Sequence, residues 1–414
     1  MSVNDRWLLP DGIEDILPSR AYKVERLRRR LLDLYHTWGY DLVVPPLAEF
    51  TESLFSSSGS DSSSDLDLMT FKITDQLSGR MMGVRADITP QVARMDAHSL
   101  RRDNPSRFCY AGQVLYTRPR SALETRSPIQ VGVELFGEAR LDADREVIRL
   151  LVESLTLAGV EQLHLDIGHV GIYRGIEQAL TIDAARKLEL FDLLQQKDAS
   201  LEAWVAEHIS DSAMADILVA LPGLCGDASV LARAEQVLSG APDGVLAALA
   251  ELQAVVAGLQ RDCPGVELFL DLGELRGYHY HTGIVFAAYG AASPVALGHG
   301  GRYDHVGEQF GRARPATGFG LDLGFLADLI DGAEPIAAGI YAPALSESEA
   351  GREAESKSGT VGVAASELEK MVSELRAAGQ RVVCGFPGQQ ADYNELCCDR
   401  ILKYRDGSFQ VEVI

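Results

Sequence analysis

The chain has 414 residues, 46% of them hydrophobic, and its 60 Asp and Glu against 38 Lys and Arg give a formal net charge of −22. That length supports two or three cores, while the acidic balance argues against tRNA or DNA as the main partner, because nucleic-acid binders bring Lys and Arg to the phosphates. No stretch approaches the roughly 20 apolar residues that a bilayer span needs, no basic region followed by an apolar run opens the chain, and the six cysteines lack CxxC spacing, so the chain reads as cytoplasmic with free thiols.

The first element reads as a helix. Val24, Leu27, Leu31, Leu34 and Trp38 recur at three- and four-residue steps and make one apolar stripe, with Gly39 as its stop. YDLVVPPLAEF follows as a strand closed by Pro45 and Pro46. The polar run SSSGSDSSSD, residues 56–65, reads as a surface loop. MTFKITD and RMMGVRAD form a strand pair joined by a turn at Ser78–Gly79. In RADITPQVARMDAHSL, Thr89 suits an N-cap and Pro90 the first helical position, which leaves Asp87 where strand gives way to helix.

RFCYAGQVLYTRP and SPIQVGVELFG read as two strands joined by the polar loop Arg120–Arg126. DADREVIRLLVESLTLAGV is a helix ending near Gly159, and QLHLDIGHV is a strand. From about 172 to 262 the composition turns Ala- and Leu-rich, as in an inserted helical module. Strands resume in VELFLDLGELRGYHYHTGIVFAAYG, around GHGGRYD, and in TGFGLDLGFL, which runs on into a helix. After about 335 a polar linker precedes a βαβ-like unit made of GTVGVAA, SELEKMVSELRAAG and QRVVCGF; SFQVEVI closes the chain as a strand.

The chemistry concentrates in ELRGYHYHTGIVF, residues 274–286. His279 and His281 lie two apart and on a strand would share a face, but two histidines make only half a zinc site, with no Cys or HExxH beside them. GHGGRYD and TGFGLDLG match neither phosphate-loop pattern; their glycines let strands pass close to each other or to a ligand. An amino-acid pocket is the third possibility. It needs an arginine fork for a carboxylate, an acceptor for an ammonium, aromatic walls and a polar group to read the side chain. Arg276, Asp87, Gln130, Glu134, Tyr280 and Tyr303 could supply these.

In this order the segments resemble the catalytic domain of histidyl-tRNA synthetases, a class II family, over roughly residues 7–330. LLPDGIEDILP resembles the family's opening, GYDLVVPPLAEF its first motif, and VLYTRPRSALETRSPIQVGVELFG its second. GVRADITPQVARM resembles the segment with the histidine-binding carboxylate, LRGYHYHTG and GHGGRYD the two histidine-specific peptides, and TGFGLDLGFL the third motif. The resemblance implies an α+β fold: a class II antiparallel sheet flanked by helices over residues 1–335, with the helical insertion at 172–262 and a small α/β domain at 336–414. It also implies a histidine pocket. Asp87, Thr89 and Gln130 would stand at the amino group, Glu134 at the imidazole and Arg276 at the carboxylate. Tyr280, His281 and Tyr303 would form the walls, with His281 where the family has the second of two tyrosines.

The departures fall elsewhere. Where the family grips the α-phosphate of ATP with an arginine and places an acidic residue two positions on, this chain has Leu115 and Thr117; where it grips the γ-phosphate, it has Phe325. Apolar groups cannot stabilise the charge of phosphoryl chemistry. Residues 335–414 carry 12 Asp and Glu against 8 Lys and Arg, a net of −4 and a poor surface for an anticodon. Together these features are similar to the non-catalytic, synthetase-like regulatory subunits of short-form ATP phosphoribosyltransferase. Such subunits assemble with the short catalytic subunit for the first step of histidine biosynthesis and mediate feedback by histidine. The resemblance therefore implies the short catalytic subunit as partner, L-histidine as effector, and a self-dimer near Val43–Leu47 within a hetero-oligomer. It implies no metal, no cofactor, no nucleic acid and no membrane. Two other functions stay open: an active histidyl-tRNA synthetase, tested by ATP–pyrophosphate exchange, and a synthetase-like binding module of another pathway, tested by the partner it captures.

Overall fold

The computed structural model describes residues 7–54, 62–119, 124–291, 293–329, 338–344, 360–388, 390–405 and 408–414. The chain divides into two compact units, Met1–Asp331 and Gly332–Ile414. In the first, the N-terminal apolar stripe winds into α1 (Pro18–Thr37), which buries Val24, Leu27, Leu31 and Tyr35. Gly39 follows with φ +82°. In YDLVVPPLAEF the first strand ends before the two prolines, as expected, and a second begins beyond them. These are β1 (Asp41–Leu42) and β2 (Ala48–Phe50), kept apart because Pro45 and Pro46 cannot donate to a ladder.

Two short helices follow, α2 (Thr51–Leu54) and α3 (Ser62–Met69). The second takes in residues 62–65, which the sequence placed in a surface loop; the rest of that serine run lies outside the described residues. β3 (Phe71–Thr74) and β4 (Met81–Val84) form the expected antiparallel pair. α4 spans Thr89–Arg94, but Thr89 is not its N-cap. Its hydroxyl is bonded to Glu134 instead, and the Asp87 carboxylate accepts from the Thr89 N–H at 3.1 Å.

β5 (Ser106–Gln113) and β6 (Ile129–Phe136) pair antiparallel, α5 (Leu141–Leu157) packs behind them, and β7 spans His164–His169. The insertion consists of α6 (Val170–Ala179), α7 (Ala184–Gln196), α8 (Leu201–His208), α9 (Ser212–Ala220), the short β8 (Cys225–Gly226), α10 (Val230–Val237) and α11 (Asp243–Asp262). Contrary to the expectation that no stretch is long and apolar enough for a bilayer, α11, at 20 residues, has the length and composition to cross one. Here its Val245, Leu249, Leu252, Val256 and Leu259 are buried in the core of this unit. β9 (Glu267–Asp271), β10 (Ile284–Tyr289), β11 (Gly298–Arg302), β12 (Ala316–Asp322) and α12 (Leu323–Leu329) complete the unit.

Among the described residues, nine strands form one sheet in the order β1-β5-β6-β12-β11-β10-β7-β9-β8, and β2-β4-β3 form a small second one. The run from β5 to β7 is antiparallel throughout. Side-chain alternation gives it two different faces. On β6, Val131, Val133 and Leu135 join the core built with α1, α5 and α12, whereas Gln130, Gly132 and Glu134 face the other way. Behind this second face a smaller cluster forms around Phe108, Tyr110, Ile88 and Tyr303.

The second unit holds β13 (Gly339–Ala342), α13 (Thr360–Ala377), β14 (Val382–Cys384), β15 (Cys398–Arg405) and β16 (Ser408–Val413), with strand order β14-β13-β15-β16. A parallel βαβ unit is present, but its first strand is GIYA rather than GTVGVAA, whose residues 360–365 are helical. The alternating Val residues suggest a strand, but the helix runs straight on into the amphipathic SELEKMVSELRA. All six cysteines are free.

Candidate functional site

The polar face of the main sheet floors a cavity of about 700 Å³ in the first unit. It is lined by Asp87, Thr89, Gln130, Glu134, Arg276, Tyr280, His281 and Tyr303, so all eight residues singled out in the sequence come together. Gln130 and Glu134 are four apart on β6 and therefore share a face. The facing strand β12 sets Gly318 opposite Glu134. A Cβ at Gly318 would overlap the Glu134 carboxylate and lie 2.6 Å from the Tyr303 hydroxyl, so glycine there is what leaves the cavity open.

One end is built by the turn before α4. The Gln130 side chain donates to Asp87 Oδ1 at 2.9 Å and accepts from the Ile88 N–H at 3.0 Å. It thereby holds the Asp87 carboxylate over the cavity.

The centre is Glu134, which is 1% exposed. Its Oε1 accepts from the Thr89 hydroxyl at 2.7 Å and the Tyr110 hydroxyl at 3.2 Å. Its Oε2 has no partner, and neither do the buried hydroxyls of Tyr280 and Tyr303. The two tyrosine rings stack at 5.1 Å. Burial pushes the Glu134 carboxyl well above the ordinary carboxylate range, and the nearby Asp87 charge adds to this. Unmet polar atoms in such a place are costly, and a ligand with N–H groups would satisfy them.

The far end is the 274–283 stretch, which is not a strand. Gly277 takes φ +63°, and the N–H groups of Tyr280 and His281 both return to its carbonyl at 2.9 and 2.8 Å. This helical turn brings Arg276 and His281 to one cavity, which strand alternation would have forbidden. It also separates His279 from His281: His279 packs on Phe191. His281 accepts no charge readily, since burial pushes it down to about 4, and its Nδ1 lies 3.2 Å from the Gly277 carbonyl. Among the described residues no group of three or more His, Cys, Asp or Glu could hold a metal.

The sequence reading missed Asp166 on β7 and Glu274, which also line the cavity and contact Arg276. Glu274 stands two residues before Arg276 in the stretch already marked, so proximity could have found it. Asp166 could not be found that way, because only the β7–β10 pairing brings it near.

A smaller cleft of about 210 Å³ adjoins the cavity, sharing Asp87, Gln130 and His299 with it. Phe325, Glu124 and Asp322 line this cleft. Thr117 is bonded away from it, its hydroxyl donating to the Leu68 carbonyl at 2.6 Å.

The fold and the cavity define a class II aminoacyl-tRNA synthetase-like domain of the histidyl type. Residues 12–326 match a family model described as histidyl-tRNA synthetase. The histidyl-tRNA synthetase structure from Nostoc shares the fold, with a TM-score of 0.75 at 17% identity over 96% of this chain and 91% of that one. Residues 362–412 match a second model, described as the ATP phosphoribosyltransferase subunit HisZ C-terminal domain. ATP phosphoribosyltransferase regulatory subunits of Saccharophagus degradans and Chromohalobacter salexigens are each 49% identical, over 99–100% of this chain and 99% of theirs. A structure from Bacillus halodurans, described as an ATP phosphoribosyltransferase regulatory subunit/histidyl-tRNA synthetase, aligns with a TM-score of 0.79 at 26% identity, covering 94% of this chain and 95% of that one. The chain belongs to the family of ATP phosphoribosyltransferase regulatory subunits.

Proposed function

We propose that the chain is a non-catalytic subunit that assembles with a short-form ATP phosphoribosyltransferase in the cytoplasm, supports its activity and lets L-histidine inhibit it. The cavity is the histidine sensor. The observation that carries this reading is the convergence of three unpartnered buried atoms, Glu134 Oε2 and the hydroxyls of Tyr280 and Tyr303, between an acidic end at Asp87 and an arginine at Arg276. An imidazole fits the middle, an ammonium the first end and a carboxylate the second.

Adenylate chemistry is absent from the proposal. Leu115, Thr117 and Phe325 occupy the positions where the resemblance would require phosphate-binding arginines and an acidic group, and the adjoining cleft offers Glu124 and Asp322, which repel a triphosphate. Histidine must then act by favouring one state of the assembly over another. A self-dimer forms through the exposed segment around Val44 and Leu47, which are 80% and 54% exposed.

Calorimetric titration of L-histidine into the full chain tests the sensor. Saturable binding to the wild type that is lost in Arg276→Ala supports it. Binding that is unchanged in the variant contradicts it.

A further inference from the structure

The guanidinium that a ligand carboxylate would need is already held by groups of this chain. Arg276 Nη2 donates to Glu274 Oε2 at 2.6 Å and lies 3.6 Å from Asp166 Oδ2. Its Nη1 donates to the Tyr289 hydroxyl at 3.0 Å. Tyr289 is itself kept in place by stacking on His164, with ring centroids 5.0 Å apart and planes within 6°. The other oxygen of Glu274 accepts from the backbone N–H of Arg276 at 2.6 Å, so Glu274 clamps this residue at both ends. One cation thus faces two carboxylates, and a third carboxylate arriving on it meets like-charge repulsion unless one of them leaves.

The two carboxylates differ in how easily they can leave. Asp166 sits on β7, paired on both sides with β10 and β9, so its backbone is fixed in the sheet. Glu274 stands outside any ladder, in the bend that leads into the Gly277 turn. A rotation of its side chain is enough to release the guanidinium.

We propose, on the reading of the cavity given above, that Glu274, with Asp166 behind it, is an internal carboxylate gate that sets the specificity of the site: an amino-acid ligand binds by exchanging its own carboxylate for that of Glu274 on Arg276. The gate makes the apparent affinity for carboxylate ligands depend on the fraction of molecules with Arg276 released. A ligand without a carboxylate does not need the exchange. The gate also adjoins the insertion. In α6, Arg174 donates to the carbonyls of Tyr278 and His281 at 2.9 and 2.8 Å, and Glu177 accepts from the Tyr278 hydroxyl at 2.5 Å. The turn that follows Arg276 is thus held by α6, while Glu274 holds Arg276 itself.

The test is calorimetry on the full chain with two probes, L-histidine and histamine, which shares the imidazole and ammonium but has no carboxylate. Glu274→Gln keeps an acceptor for the Arg276 N–H while removing the competing charge. It is expected to tighten histidine binding roughly tenfold, since a hydrogen bond to a charged group shifts an equilibrium by about that factor, and to leave histamine within about twofold. Asp166→Asn is expected to tighten histidine in the same direction, which keeps the test decisive if the first variant fails to fold. Histidine binding that is unchanged or weaker in these variants, or an equal gain for histamine, overturns the gate while leaving the histidine pocket standing. No histidine binding to the wild type or to either variant sinks the reading of the cavity and the gate with it.

Discussion

Replacing Glu134 by Gln separates what the cavity costs the fold from what it gives to binding. In the unliganded chain Glu134 Oε1 has two donors, Thr89 and Tyr110, while Oε2 has none and the side chain is 1% exposed. An amide keeps an acceptor for the two hydroxyls and carries no charge. The amide sets Nε2 where Oε2 lacks a donor but cannot ionise, so Glu134→Gln removes the cost of charging a buried carboxyl and is expected to stabilise the chain at pH 8 by about 1–3 kcal/mol. The sign follows from linkage. The Glu134 carboxyl titrates well above its ordinary range in the fold because of burial, so between that range and its folded value the native state holds the extra proton. Stability is then lost as pH rises through this window and is not lost below it. The gain from Glu134→Gln must therefore shrink toward pH 4, where the wild-type carboxyl is already protonated. Histidine binding should weaken by roughly 10- to 100-fold, because the amide nitrogen that takes the place of Oε2 cannot accept from an imidazole N–H. Urea unfolding at the two pH values, with histidine titration at pH 8, reads both effects. A variant destabilised equally at both pH values would refute the reasoning.

Other outcomes follow from the same structure. Asp144→Ala should destabilise the chain by about 3 kcal/mol in urea unfolding, because the buried Arg302, whose Nη2 lies 2.6 Å from Asp144, is left with the weaker 3.3 Å contact to Asp304 as counter-charge. His281, pushed down to about 4 by burial, stays neutral in the fold over a range where the unfolded chain takes up a proton. Its contribution is lost as pH falls from about 6.5 toward 4, so His281→Phe should flatten the acid side of the stability profile followed by thermal melts. Gly318→Ala should abolish histidine binding in calorimetry, because the added methyl overlaps the Glu134 carboxylate, with secondary structure retained by circular dichroism. On the proposed function, ATP–pyrophosphate exchange with histidine should be absent, and introducing an arginine by Phe325→Arg alone should not produce it, since Leu115 is apolar.

The legible parts of the fold were those that carry a local period or stop. The α1 stripe, the β3–β4 hairpin around Gly79 and the helical insertion all announce themselves in a window of a dozen residues. What escaped depended on contacts distant in sequence or on backbone geometry. Thr89 looked like a cap, yet its hydroxyl serves Glu134, 45 residues away. The 274–283 stretch reads as a strand because of its alternating tyrosines and histidines, and only the left-handed φ of Gly277 turns it into the loop that carries Arg276. GTVGVAA has β-branched residues but joins a helix whose face is set by the sequence after it. Six of the eight cavity residues follow from the chemistry an amino-acid pocket needs, Thr89 and His281 follow from the resemblance to known motifs, and none follows from periodicity. The carboxylates around Arg276 belong to no motif, and Asp166 enters through sheet pairing alone.

The most direct test of histidine sensing uses the short catalytic subunit of ATP phosphoribosyltransferase from the same organism, assembled with this chain, and measures transferase activity against rising L-histidine. With the wild-type chain, activity should fall saturably; with the Arg276→Ala chain, expressed relative to its own rate without histidine, the fall should disappear or move to concentrations at least about tenfold higher. Equal inhibition of the two complexes would place the histidine site outside this cavity and contradict the account.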